Sequence, residues 1–232
     1  MAERHIVAMG GGALSPASAP LERFILDLAR SDAPKVLFVP TASGDDPGYV
    51  VRFYEALARE SRARSSHLPF YPWPPPALRE LVLGQDVVYV GGGNTANMLA
   101  IWRVHGLDGI LREAWEQGVV LCGSSAGMIC WFEAGVTDSF GPELAAMRDG
   151  LGLLRGSACP HYDGEERRRP LYQRAVAEGF PGGYAAEDSV GLHFAGGELA
   201  EVVSARAGAR AFRVELSDGE VVETPLPARV LP

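Results

Sequence analysis

With 232 residues, 47% of them hydrophobic, the chain is long enough to bury one α/β core. A formal net charge of -8 leaves no basic face for a nucleic-acid partner, and no apolar stretch reaches the length of a transmembrane helix. The three cysteines, Cys122, Cys130 and Cys159, form no C-x-x-C pair and read as reduced thiols, which together with a Met1-Ala-Glu-Arg-His5 start lacking an apolar leader predicts a cytoplasmic protein.

In chain order, His5–Met9 is a short apolar strand ending in Gly10-Gly-Gly12. Leu21 to Arg30 has helical spacing, with Leu21, Ile25, Leu28 and Ala29 on one face. Val36–Val39 is a buried strand, followed by the polar loop 41–46 and a helix from about Gly48 to Arg64. Pro72-Trp-Pro-Pro-Pro76 is a stiff connection too short for a domain linker. Asp86–Val90 is a strand running into Gly91-Gly-Gly-Asn-Thr95, a helical stretch follows to Gln117, and Val119–Cys122 is the next strand. This alternation predicts a doubly wound, mostly parallel sheet in a single domain spanning 1–232. After His161, a helix near 170–179 gives way to strand-like runs at 189–194, 198–203 and 211–215, a small antiparallel C-terminal edge.

Ligand chemistry in such a sheet collects beyond the C-terminal ends of the strands, and three loops there carry it. Gly123-Ser-Ser-Ala-Gly127 has the Gly-x-Ser-x-Gly frame of a nucleophile elbow centred on Ser125. Small residues two before and two after the serine let strand and helix approach, and the turn aims the Ala126 N–H at a developing oxyanion. Gly91-Gly-Gly93 offers bare backbone whose Gly92 or Gly93 N–H can reach a substrate oxygen, with Asn94 and Thr95 beside it as candidate substrate contacts. The G-x-G-x-x-G dinucleotide frame fails because residue 96 is Ala.

The third loop, Ala158-Cys-Pro-His-Tyr-Asp163, supplies His161, the one of five histidines that lies in a loop soon after the elbow. A serine hydroxyl needs such a base within hydrogen-bond reach. The base needs a carboxylate to orient it; Asp138 is the first candidate, Glu133 the alternative and Asp163 a competitor. No H-E-x-x-H or comparable ligand cluster points to a metal, and no cofactor is expected.

Val90-Gly-Gly-Gly-Asn-Thr95, Gly123-Ser-Ser-Ala-Gly127, Thr137-Asp138 and Pro160-His161 together resemble the peptidase E group of serine peptidases, which includes aspartyl dipeptidases and cyanophycinases. The resemblance covers nearly the whole chain and implies a fold like that of the class I glutamine amidotransferases, with serine at the elbow. It implies Ser125 as nucleophile, His161 as base, Asp138 as third member, and Gly93 and Ala126 as oxyanion donors. The implied substrates are small peptides, with no nucleic acid or membrane partner, and the chain is read as a monomer or homodimer.

An aspartyl dipeptidase needs a cation for the substrate's N-terminal Asp, and Arg167, Arg168 and Arg169 are the candidates. Cyanophycinase relatives would prefer an acidic pocket instead. Ser124 stands where many dipeptidases of the group carry an aromatic residue, which separates the general hydrolase reading from dipeptidase specificity. An α/β-hydrolase esterase is less consistent, because His161 follows Ser125 by only 36 residues. A binding protein that lost catalysis is the remaining alternative.

Overall fold

Strand β1 (His5–Met9) is followed by α1 (Ala19–Asp27), β2 (Lys35–Val39), α2 (Pro47–Leu57), β3 (Arg64–His67) and α3 (Leu78–Leu83) in the computed structural model, which describes residues 3–60 and 62–232. Then come β4 (Val87–Val90), α4 (Thr95–His105), α5 (Leu107–Glu116), β5 (Val120–Ser124), the single-turn α6 (Ala126–Ile129), β6 (Phe132–Thr137) and β7 (Ala145–Met147). The remainder is β8 (Leu154–Cys159), α7 (Arg168–Ala177), β9 (Gly183–Ala186), β10 (Val190–Ala195), β11 (Glu198–Ser204), β12 (Ala211–Ser217), β13 (Glu220–Leu226) and β14 (Arg229–Val230). Met1 and Ala2, and Ser61 within the expected second helix, lie outside the described residues.

Eight strands form the principal sheet in the order β14-β11-β10-β1-β5-β4-β2-β3. The pairs β1–β5, β5–β4, β4–β2 and β2–β3 are parallel. Their residues alternate between two apolar clusters. Ile6, Ala8, Leu37, Val39, Val88, Val90 and Leu121 face one way, packing with α4 and α5 residues such as Met98, Trp102 and Leu111. Val7, Met9, Val36, Phe38, Val87, Tyr89, Val120 and Cys122 face the other, against Leu21, Ile25 and Phe53 of α1 and α2. Burial on both faces explains why these strands read as unbroken apolar runs.

Two differences from the sequence reading matter. The stretch expected as one helix to Gln117 breaks at Gly106, whose φ of 72° is left-handed, a conformation glycine adopts without steric cost. More importantly, the C-terminal strands divide. Strand β10 runs antiparallel beside β1 and β11 antiparallel beside β10, whereas β12 and β13 join a second, six-stranded sheet ordered β13-β12-β9-β8-β6-β7. Phe132, Leu154 and Ala158 from the second sheet share a core with Ile6 and Phe194 from the first. Helix α7 covers the second sheet, with Tyr172 and Val176 packed on Val136, Ala185 and Val214. Because β10 is antiparallel to β1, its first residue, Val190, lies at the edge where the parallel strands end.

Candidate active site

Ser125 sits at φ 58° and ψ -108°, a conformation rare for a residue with a β-carbon, at the junction of β5 and α6. The neighbours predicted to be small are small for steric reasons. A β-carbon on Gly123 would lie 2.6 Å from the Gly127 carbonyl oxygen, and one on Gly127 would overlap the Val90 carbonyl. This is the strand–turn–helix packing of a nucleophile elbow.

His161 Nε2 lies 2.9 Å from Ser125 Oγ, and His161 Nδ1 lies 2.7 Å from Asp188 Oδ1. The tautomer consistent with both contacts has Nδ1–H donating to the carboxylate and Nε2 accepting from the serine hydroxyl. The hydrogen bond from His161 holds the Asp188 carboxyl below its ordinary value, with further help from the charges of His161, Arg206 and Arg168 against the cost of burial. The Asp188 backbone N–H donates to Asp163 Oδ1 at 2.8 Å, and Arg206 donates to Asp163 Oδ2 at 2.5 Å. Asp163 is thus one contact removed from the imidazole, supporting the turn that carries Asp188.

The carboxylate on His161 therefore differs from the one expected. Asp138 is exposed in the turn after β6, and exposed Glu133 accepts from the Gly156 N–H at 2.8 Å; His161 pairs with neither. The residue that pairs with His161 comes after both Ser125 and His161, in the β9–β10 turn. The available signal was the Glu187-Asp188-Ser189 turn entering an apolar strand, together with the Gly10-Gly-Gly12 run that had no assigned purpose.

That glycine run organises the site. Three successive carbonyls of the β1 end each accept an N–H from a segment bearing one of these residues. Met9 accepts from Ser125 at 3.1 Å, Gly10 from His161 at 3.1 Å, and Gly11 from Ser189, beside Asp188, at 3.0 Å. Side chains are excluded here: a β-carbon on Gly10 would overlap the Glu187 carbonyl, and one on Gly11 would overlap Asp188 and the His161 ring.

The Gly91–Gly93 loop rests against the nucleophile, since a β-carbon on Gly92 would lie 3.4 Å from Ser125 Cβ. The Gly92 N–H donates to Tyr49 Oη at 3.1 Å. Among the described residues the Gly93 and Ala126 N–H groups have no hydrogen-bond acceptor, so these two are the ones free for an oxyanion. Asn94 and Thr95, expected as substrate contacts, are committed within the protein. Asn94 Oδ1 caps α4 by accepting from Asn97 N at 2.8 Å, and its Nδ2 donates to the Ser139 carbonyl at 2.9 Å. Thr95 is buried, with Oγ1 at 3.5 Å from Thr137 Oγ1.

The arginines have separate fates. Arg168 is buried, donating to Glu165 Oε2 at 2.7 Å and to the Val136 carbonyl at 2.9 Å. Arg169 pairs with Glu223 and lies over the Tyr162 and Phe212 rings. Arg167 is exposed, paired with exposed Glu143 at 2.7 Å, and lines a cavity of about 470 Å³ with Asp138, Pro142, Leu144, Glu165 and Glu166. Both walls of this cavity adjoin the site: the Glu165 N–H donates to the His161 carbonyl at 3.1 Å, and the Ser139 carbonyl beside Asp138 holds Asn94.

All three cysteines are free and buried, and burial pushes the Cys159 thiol up to about 12. Burial likewise raises the Cys122 and Cys130 thiols, so all three are held in the neutral form. No group of three or more metal-ligating side chains occurs among the described residues, and no helix there is long and apolar enough to cross a membrane.

The sequence pattern of Peptidase family S51 matches residues 6–202. A Bacillus subtilis (strain 168) protein named Uncharacterized peptidase YgaJ is 48% identical over 231 residues, covering 98% of this chain and 99% of that protein. The crystal structure of a peptidase from an acI-B1 Actinobacterium superposes with a TM-score of 0.72 at 17% identity, covering 97% of this chain and 94% of that one. A candidate peptidase E protein from Listeria monocytogenes EGD-e superposes at 0.61 with 18% identity, covering 97% of this chain and 100% of that one. At such identities the two structures share the fold.

Proposed function

The chain belongs to peptidase family S51, and on that premise we propose that it hydrolyses short peptides through Ser125, His161 and Asp188. The observation that carries this reading is the unbroken series Ser125 Oγ, His161 Nε2, His161 Nδ1, Asp188 Oδ1, with steps of 2.9 and 2.7 Å across the ring. His161 removes the serine proton as Oγ attacks the scissile carbonyl, and Asp188 stabilises the imidazolium. The Gly93 and Ala126 N–H groups donate to the oxyanion. The imidazolium then protonates the leaving amine, and water deprotonated by the same ring releases the acyl group from Ser125.

Two substrate preferences compete at the 470 Å³ cavity. A preference for Asp-X dipeptides rests on Arg167, whose exposed pairing with Glu143 is weak enough to be exchanged for a substrate carboxylate. The cyanophycinase-like reading, in which the substrate presents a guanidinium or ammonium, is favoured by the carboxylates of Asp138, Glu165 and Glu166 on the same walls. Rates on Asp-X, Asn-X, Arg-X and Leu-X peptides discriminate: the first preference predicts Asp-X fastest, the second Arg-X, and equal rates reject both.

Ser125→Ala tests the chemistry. Hydrolysis should fall by several orders of magnitude with an unchanged circular dichroism spectrum, and His161→Ala should do nearly as much. The double variant should lose little more, because the two residues act as one unit. Additive losses, or a Ser125→Ala protein that still turns over, would remove the assignment.

A further inference from the structure

The Gly91–Gly93 loop poses a mechanical problem. An oxyanion donor must be aimed before substrate arrives, yet consecutive glycines can rotate a peptide plane at small energetic cost. The amides flanking Gly93 are both anchored. After it, the Asn94 N–H donates to the Ala42 carbonyl at 2.8 Å. Before it, the Gly92 N–H donates to Tyr49 Oη at 3.1 Å, and this is a side-chain rather than a backbone anchor.

Tyr49 is itself held on three sides. Its own N–H donates to Asp46 Oδ1 at 2.6 Å in the first turn of α2, its ring meets Phe38 edge-on at 5.2 Å, and the Arg52 guanidinium lies 4.9 Å over its face. Burial raises its hydroxyl above the ordinary tyrosine value, so the group stays neutral. A β-carbon on Gly91 would lie 2.9 Å from the Tyr49 ring, so the loop is moulded to this side chain.

We propose that Tyr49 is a positioning residue for the oxyanion hole, holding the Gly92 amide so that the next one, Gly93 N–H, stays directed at the substrate oxygen. The inference rests on the reading of Ser125 as nucleophile. It also explains why Gly92 is not itself a donor to the oxyanion: its N–H is already occupied.

Tyr49→Phe keeps the ring and removes only the acceptor. The expected result is a kcat about 10- to 100-fold lower, as for impairment of one oxyanion donor, with KM within about twofold. Affinity for a peptide boronic acid, which forms a tetrahedral adduct on serine, should fall in parallel with kcat, and the Gly92 amide should lose protection from hydrogen exchange. A purely structural role would lower thermal stability without selectively weakening boronate binding. Unchanged kcat, a kcat loss with unchanged boronate affinity, or a Gly92 amide equally protected in both proteins would overturn the proposal. Fluorophosphonate labelling separates the layers: no labelling of the unmutated protein overturns the serine mechanism and this inference together. Labelling at equal rates in the unmutated and Tyr49→Phe proteins overturns the inference alone.

Discussion

Gly11 lies so close beneath Asp188 that a β-carbon on the glycine would overlap the carboxylate Oδ1. The space that a side chain would take is the space the acid uses to reach His161 Nδ1 at 2.7 Å. Gly11→Ala should therefore act as a lesion of Asp188 without touching it. Turnover should fall by at least about 100-fold while the protein remains folded, since one misplaced group in a preorganised site has effects of that size. Near-normal turnover in Gly11→Ala would mean that the pair can shift without loss.

Asp188→Asn should lower kcat by about 10⁴-fold, because an amide in this position stabilises the wrong imidazole tautomer. Asp138→Asn and Glu133→Gln should leave kcat within about twofold. Glu133→Gln removes a charged acceptor from the Gly156 N–H, and the expected cost is on the order of 1 kcal/mol in a denaturant melt. A large kcat loss in either of these, with Asp188→Asn active, would reverse the assignment of the acid.

Stability should depend on Glu22. This side chain is 3% exposed, with Oε1 accepting from the Leu14 N–H and Ser18 Oγ and Oε2 buried without a partner among the described residues. Burial pushes its carboxyl up from 4.5 to about 7. Between those values the folded state retains a proton that the unfolded chain has released, so stability falls as pH rises across that window and levels off above it. The total is on the order of 3 kcal/mol. Glu22→Gln should flatten the profile between pH 4.5 and 7 and be the more stable protein at pH 8. Parallel pH profiles for the two proteins would show that Glu22 ionises normally.

The arginine run should divide by position. Arg168→Met should cost about 1–3 kcal/mol of stability, because the Val136 carbonyl loses a buried donor, with substrate preference unaltered in the folded fraction. Arg167→Met should leave stability within about 0.5 kcal/mol and change the ratio of Asp-X to Arg-X rates. A specificity change in Arg168→Met alone would place the cation elsewhere than the cavity wall.

The legible parts of the site were those that depend on short-range chain geometry. Ser125 announces itself because Gly123 and Gly127 are needed within two residues of it, and His161 because it is the histidine in a loop soon after the elbow, where a serine needs a base. The interior strands β1, β2, β4 and β5 were legible because both faces are buried. Asp188 was hidden because its position depends on β10 pairing with β1, and a run such as Val190–Ala195 does not show which strand it will lie beside. The second sheet was hidden for the same reason: short strands such as β7 and β9 gain their identity from neighbours distant in sequence. Asn94 and Thr95 were misread because side chains that cap a helix or bridge hydroxyls have the same composition as ones that bind substrate.

The three carbonyls of Met9, Gly10 and Gly11 give Ser125, His161 and Asp188 a common datum. The relative placement of the three is therefore fixed from one stretch of backbone. The Ala126 N–H travels with them, as the residue next to Ser125. Gly93 does not, because it hangs from Ala42 and Tyr49 on the far side of β4. In the proposed mechanism the proton relay is thus anchored on the β1 end and the second oxyanion donor on a different set of neighbours. The two anchorages meet where Gly92 lies against Ser125, so any error in their relative placement falls on the gap between nucleophile and oxyanion donor rather than within the relay itself.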